Sequence, residues 1–249
     1  MENERRTALI TGSGQMIGRG IALRLAEAGF NIILNGSKNK DACEAVAKEL
    51  TAFGVDTLIA MGNVGVKEDT SQIIKAGMDK FGSIDVVVNN AAIRPHTAFL
   101  DVTDAEWDKV HNINLKGPLW MIKACLPGMM ERKWGRIINF TGMMAQQGYQ
   151  GAAAVASSKH ANWGLIKSLS DEFGKYGITA NIISPGTFPG DDFDVETDER
   201  RKKLRDENPL RRLGLTTEIG GLIAYLCSED GAFMNGQMLQ INGGVVVQF

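Results

Sequence analysis

The residues with the clearest chemistry are Thr11-Gly12-Ser13-Gly14-Gln15-Met16-Ile17-Gly18, which lie between an apolar run at Ala8 to Thr11 and a helix-period segment. Glycines at 12, 14 and 18 let backbone amides approach a pyrophosphate at a helix N-terminus, where unpaired N–H groups and the macrodipole favour an anion. The alternative is a bare structural turn. The position between a first strand and a first helix favours phosphate. Proton-transfer candidates are few, because the chain has three histidines and three tyrosines. His96 has the side-chain type of an acid near neutral pH, and Tyr149 offers a phenol that is either an acid or a wall residue. His111 and His160 read as packing or capping residues. No His/Cys/Asp cluster has metal-ligand spacing, so no metal is expected. Met121, Met143 and Met144 form either a soft apolar substrate wall or core filling.

The elements that must position these groups show as strand-length apolar runs at Ala8 to Thr11, Asn31 to Asn35, Val55 to Met61, Ile84 to Asn89, Arg136 to Thr141 and Ile178 to Ser184, with a last strand at Met238 to Ile241. They read as buried parallel strands. Helix-period segments alternate with them. One of these, Ile21 to Gly29, puts Ile21, Leu25 and Ala28 on one face and stops at glycine. Alternation of this kind implies right-handed crossovers and a doubly wound parallel α/β sheet, with ligands in the crevice beyond the strand carboxyl ends. No linker, repeat or low-complexity tract divides the chain, so residues 1–249 are expected to form a single domain. The stretch Asp191 to Asn208 is dense in Asp, Glu, Arg and Lys, and reads as a solvated helix or as a lid. A mobile substrate-loop segment is accordingly expected over 187–210.

A composition of 44% hydrophobic and 22% charged residues supports a full core. The net charge of −2, without a sustained basic stripe, argues against nucleic acid or an anionic membrane as partner. No run of about 18 apolar residues suggests a membrane span. Cys43, Cys125 and Cys227 are an odd number without CxxC spacing and read as small buried hydrophobes, which fits a cytoplasmic protein. After the second strand a dinucleotide site calls for a carboxylate toward an NAD ribose or basic residues toward a 2′-phosphate. Here stand Asn35-Gly36-Ser37-Lys38. Asn35 suits a ribose hydroxyl, while Ser37 and Lys38 suit a phosphate, so the choice between NAD and NADP stays open.

Further motifs follow in order. They are Asn63-Val64, Asn89-Asn90-Ala91-Ala92, Asn112-Ile113-Asn114-Leu115-Lys116-Gly117, Ser157-Ser158-Lys159, Asn181-Ile182-Ile183-Ser184-Pro185-Gly186, and Asn235 through Gly244. In order and spacing the chain resembles the short-chain dehydrogenase/reductase family throughout. The resemblance implies a Rossmann-type sheet of about seven strands and a bound nicotinamide dinucleotide. It assigns Gly12, Ser13, Gly14, Gln15, Met16, Ile17 and Gly18 to the pyrophosphate, and Asn63 and Val64 to the adenine. Asn90 and Ala91 line the cofactor in this reading, Pro185 and Gly186 lie under the nicotinamide, and Lys159 bonds its ribose. Asn114 supports the active site. The resemblance also implies a homo-oligomer, a tetramer, in which the helices carrying Asn114 and Lys159 pair across symmetry axes. Ala152, Ala153, Ala154, Ala156 and Ala161 permit close helix approach, although a buried intrachain face would look the same.

The chain departs from the family at its chemistry. Family members that reduce ketones carry a Tyr four residues before the Lys and a Ser thirteen residues before that Tyr; here those places hold Val155 and Gly142. Met16 replaces the usual middle glycine of the loop. Valine cannot protonate an oxygen, and a positioned general acid is worth about 10² to 10⁴ in rate. Tyr149 and His96 are the replacement candidates. Three readings follow for a small-molecule substrate. The first is an NAD- or NADP-dependent oxidoreductase with an altered acid. The second is an enoyl or dienoyl C=C reductase, whose enolate product water can protonate. The third is a non-redox enzyme or cofactor-binding protein on the same scaffold.

Overall fold

In the computed structural model residues 5–190 and 197–247 are described. The apolar runs become β1 (Thr7–Ile10), β2 (Asn31–Leu34), β3 (Thr57–Ile59), β4 (Val86–Asn89), β5 (Gly135–Phe140), β6 (Ile178–Pro185) and β7 (Met238–Ile241). They form one seven-stranded sheet in the order β3-β2-β1-β4-β5-β6-β7, and every pairing is parallel. This is the doubly wound, Rossmann-type arrangement expected from the alternation.

The central strands β1, β4, β5 and β6 are mainly apolar and buried throughout because both faces are covered, while the edge strands β3 and β7 are partly buried. Among the helices are α1 (Met16–Glu27), α2 (Lys40–Leu50), α3 (Lys67–Phe81), α4 (Asp104–His111), α5 (Gly117–Arg132), α6 (Met143–Gln147), α7 (Ala153–Phe173), α8 (Glu199–Glu207) and α9 (Thr216–Cys227). Alternate side chains of β1 point to opposite layers. Ala8 and Ile10 pack with Ile21 and Leu25 of α1 and with Ile219 and Ile223 of α9, whereas Leu9 packs with Ile73 of α3 and Met121 and Ile122 of α5. The sheet order reverses at β1, whose neighbours are β2 and β4, so the loops leaving the carboxyl ends of β1 and β4 part and open a crevice.

Helix α1 corrects one expectation. Its inward stripe is Ile21, Ala22, Leu25 and Ala26, and Ala28 is exposed, because the chain leaves the helix there and turns through Gly29 at φ 86°. The helix can lie against α9 because its contact is made of bare backbone. A Cβ on Gly20 would sit 2.5 Å from the Thr216 carbonyl, and one on Gly220 would sit 2.3 Å from the Gly20 oxygen. Between α4 and α5 the chain makes a π-helical turn, Asn112–Lys116, and the extra residue in that turn aims Asn114 inward, where it is 2% exposed. In α7, Val155, Ser158, Lys159 and Asn162 face the interior and His160, Ala161 and Gly164 face outward. Ala152 and Ala154 are also buried within the chain.

Of the charged stretch, residues 191–196 lie outside the described residues. The rest contains α8, whose first turn is capped by the Asp198 side chain accepting from the Arg201 N–H at 3.1 Å. No helix among the described residues is long and apolar enough to cross a membrane.

Candidate active site

The glycine loop is fixed from below by the strands. Thr11 N–H donates to the Val88 carbonyl at 3.0 Å, and the Asn90 amide donates to the carbonyls of Thr11 and Gly12, both at 3.0 Å. Gly12 has φ 65°, and a Cβ on Gly18 would lie 2.2 Å from the Gly12 oxygen, so these two glycines are required by the loop's own closure. No side chain caps the first turn of α1. Its leading N–H groups therefore face the crevice as donors for an anion. Met16 adopts φ 49°, a left-handed conformation that a side chain disfavours by about 1–2 kcal/mol, and is 43% exposed at the cavity edge.

Two nucleotide assignments need correction. Ser13 is fully buried and its hydroxyl accepts from the Asn35 N–H at 2.9 Å. The Asn35 amide is buried too and donates to the carbonyls of Ala60 and Gly62, at 2.9 and 3.1 Å. Both side chains brace the loop against β2 and β3 instead of facing a ribose or pyrophosphate. Asn63 and Val64 also stand off the crevice: the Asn63 side chain accepts from Gly65 N–H at 3.0 Å, and Val64 is packed in the core.

The crevice is a cavity of about 980 Å³, and it is continuous from Gly12, Gly14, Gln15, Met16, Ile17 and Gly18 to the catalytic end. Ser37, Lys38 and Asn39 border it beyond β2. Asn90, Ala91, Pro185 and Gly186 border its middle. Arg94, Gly142, Met143, Met144, Tyr149, Val155 and Lys159 border it beyond β4 and β5, and Phe188 and the first turn of α8 also line it. The cavity thus joins the resembling nucleotide loop to the resembling catalytic helix.

Lys159 is 5% exposed and its ammonium donates to the Phe140 carbonyl at 2.8 Å. Burial, and to a lesser extent the positive charge of Arg94, pushes its pKa down to about 7. Asn114 accepts from Ile93 N–H at 2.9 Å and donates to the Ile93 carbonyl at 3.0 Å and the Ser158 hydroxyl at 3.2 Å. Behind it runs a chain of buried amides that sequence reading missed. Asn89 donates to Asn139, and Asn139 to Asn162, each at 2.7 Å; Asn162 then donates to the Asn114 carbonyl at 2.6 Å. This chain ties β4 and β5 to α7 and the π turn, and so fixes where Lys159 and Val155 face.

Among the candidate acids the structure separates Tyr149 from His96. Tyr149 borders the cavity and packs on the small apolar cluster of Val110, Ala152, Ala154 and Val155. His96 is exposed outside the cavity, its ring centroid 6.4 Å from that of Tyr149. Expecting His96 at the cavity mouth is corrected accordingly: both Arg94 and His96 are exposed, and of the two it is Arg94 that borders the cavity. His111 and His160 ring nitrogens bond the carbonyls of Trp107 and Ala156 on their own helices. Cys43, Cys125 and Cys227 are buried free thiols. Met143 and Met144 border the cavity, while Met121 is core. Arg94 was missed by the sequence reading, although its place two residues past Asn89-Asn90-Ala91-Ala92, on the loop leaving β4, was a usable signal.

Comparison with known proteins agrees with the fold. Residues 12–246 match a family model described as Enoyl-(Acyl carrier protein) reductase. The chain is 35% identical over 240 residues to the 3-oxoacyl-[acyl-carrier-protein] reductase FabG of Staphylococcus epidermidis, covering 96% of this chain and 98% of that protein. It is 33% identical over 241 residues to the (2S)-[(R)-hydroxy(phenyl)methyl]succinyl-CoA dehydrogenase subunit BbsD of Thauera aromatica, covering 97% and 96%. The crystal structure of acetoin dehydrogenase YohF from Salmonella typhimurium superposes with a TM-score of 0.88 at 30% identity, covering 97% of this chain and 96% of that one.

Proposed function

This chain belongs to the short-chain dehydrogenase/reductase family, an oxidoreductase family, and we propose that it is a nicotinamide-dinucleotide-linked oxidoreductase that works without the family's tyrosine and serine. The observation that carries this reading is the continuous cavity from the uncapped N-terminus of α1 to the buried Lys159. The residues present fit the cofactor: free helix N–H groups and the Gly12–Gly18 closure suit a pyrophosphate, and Lys159 suits the ribose. Beyond β2, Ser37 and Lys38 border the cavity without a carboxylate beside them among the lining residues described, which favours the 2′-phosphorylated form, NADP. When bound, the nicotinamide supplies or accepts a hydride.

The chain's own residues then set which substrate can react. Gly142 and Val155 supply no hydroxyl to hold or protonate a carbonyl oxygen, so ordinary ketone reduction is expected to be slow. Lys159 holds a titratable proton at Nζ close to neutrality, and Asn114 with the amide chain behind it keeps the helix in place. Such a site suits an activated C=C bond next to an acyl group, where the enolate product takes its proton from water. Thr187, Phe188 and the start of α8 also border the cavity, and residues 1–249 act as one domain. The exposed stripe His160, Ala161 and Gly164 on α7 suits pairing of that helix in a homotetramer.

A second reading is a subunit that supports a partner's catalysis. Met16 favours it, since its side chain stands at the edge of the loop where close backbone approach to a pyrophosphate is needed. One relative is itself named as a dehydrogenase subunit. An absorbance assay of NADPH and NADH oxidation with simple ketones and enoyl thioesters tests the main reading. Enoyl thioester turnover well above ketone turnover is expected; no oxidation of either dinucleotide with any substrate would favour the subunit.

A further inference from the structure

Among the described residues, more cationic than acidic side chains border the cavity. Arg94, Lys159 and Arg200 all border it, in a chain whose net charge is −2. Among the described residues bordering the cavity the one acid is Asp198, and it is already committed. Its carboxylate accepts from the Arg201 N–H at 3.1 Å and pairs with the Arg201 guanidinium at 3.6 Å. Lys159 reaches only a neutral carbonyl. No carboxylate among the described residues pairs with Arg94 or Arg200. The positive charge of Arg94 helps to push the Lys159 pKa down, and an anionic ligand beside the two relieves that repulsion. Apolar side chains of Met143, Met144 and Val155 border the same cavity.

We infer that the substrate carries a free carboxylate on an apolar body, and that Arg94 on the loop after β4 is the residue that binds that carboxylate. A planar guanidinium matches a carboxylate with two parallel hydrogen bonds, which fixes orientation as well as charge. The site is distinct from the pyrophosphate end, where Lys38 and the α1 N-terminus lie. The inference rests on the oxidoreductase reading only for the ligand's role as substrate. The lysine responds in the same direction: a carboxylate placed beside Arg94 also favours the charged form of Lys159, so ligand uptake is accompanied by proton uptake near pH 7.

The test is calorimetric titration of the full chain with 3-phenylpropanoate and with its uncharged amide, 3-phenylpropanamide, each with and without saturating NADPH. The acid is expected to bind at least about 10-fold more tightly than the amide, with NADPH present as well as absent. Arg94→Gln is expected to lower the acid's affinity by about 10-fold and leave the amide's unchanged, and Arg94→Lys to restore part of the loss. Lys123→Gln, at an exposed position of α5 away from the cavity, should leave the acid's affinity as it is. Equal affinity for acid and amide in the natural chain, or absence of acid binding, overturns the inference without any variant. So does acid binding unaffected by Arg94→Gln in protein of unchanged thermal midpoint. Acid binding that persists where no dinucleotide binds overturns the oxidoreductase reading and leaves the carboxylate site standing; the converse result does the opposite.

Discussion

Gly142 and Val155 occupy cavity-lining positions at the two ends of the missing chemistry. At Gly142 the backbone is extended, with φ −176°, and an added Cβ would meet nothing within 4 Å, so a serine enters without strain. Val155 borders the cavity, which leaves room on that side for a larger ring. Restoring Gly142→Ser together with Val155→Tyr is expected to raise simple ketone reduction by at least about 10²-fold, with either change alone recovering little, because catalytic groups that act as a unit are strongly non-additive. Steady-state rates of the natural chain, both single variants and the double variant check this. Lys159 makes a second prediction. Its pKa falls from 10.5 to about 7 on folding, so between those values the unfolded chain binds the extra proton and stability rises with pH. The buried thiols of Cys125 and Cys227, pushed up to about 12 by burial, work in the opposite sense above their ordinary 9.0, because only the unfolded chain loses those protons. The thermal midpoint is therefore expected to climb from about pH 7 to about pH 8.5 and to lose that climb in Lys159→Met. An equal slope in the two proteins would show that Lys159 is not held neutral.

Elements rather than single residues decide whether the loop keeps its shape. The contact between α1 and α9 is backbone against backbone at Gly20 and Gly220, and α1 carries the loop's uncapped N–H groups. Gly20→Ala is expected to destabilise the fold by about 1–3 kcal/mol by forcing the helices apart. Gly221→Ala, one residue from the contact with open space around it, should be neutral or stabilising by up to about 1 kcal/mol through helix propensity. Urea midpoints of the two variants measure the difference. The elements were legible in the sequence because most strands are short, mainly apolar runs, buried throughout in β1, β4, β5 and β6, and turn residues bound them. What could not be read was side-chain direction within a motif. Ser13, Asn35 and Asn63 stand in the expected order, yet each is turned into a brace for the loop beneath, and nothing in the spacing distinguishes a bracing amide from one facing a ligand. His96 failed for a related reason, since spacing on the loop after β4 does not tell which of two exposed residues, Arg94 or His96, borders the cavity.

At the scale of the whole molecule, one sheet with its order reversing at β1 brings residues from the first fifth of the chain and from α7 to a common cavity. That convergence was expected from the resemblance, and the departures from it were visible as Met16, Gly142 and Val155. Arg94 and the four-asparagine chain were not, because they matter only through contacts made between distant segments. The account's central claim is that the cavity takes a nicotinamide dinucleotide despite Met16. Calorimetric titration of the full chain with NADPH, NADP, NADH and NAD tests it most directly. The prediction is one site per chain, tighter for the phosphorylated pair, with affinity lowered by Lys38→Gln and raised by Met16→Gly. No binding of any of the four at millimolar concentration, in a chain that remains folded, would contradict it.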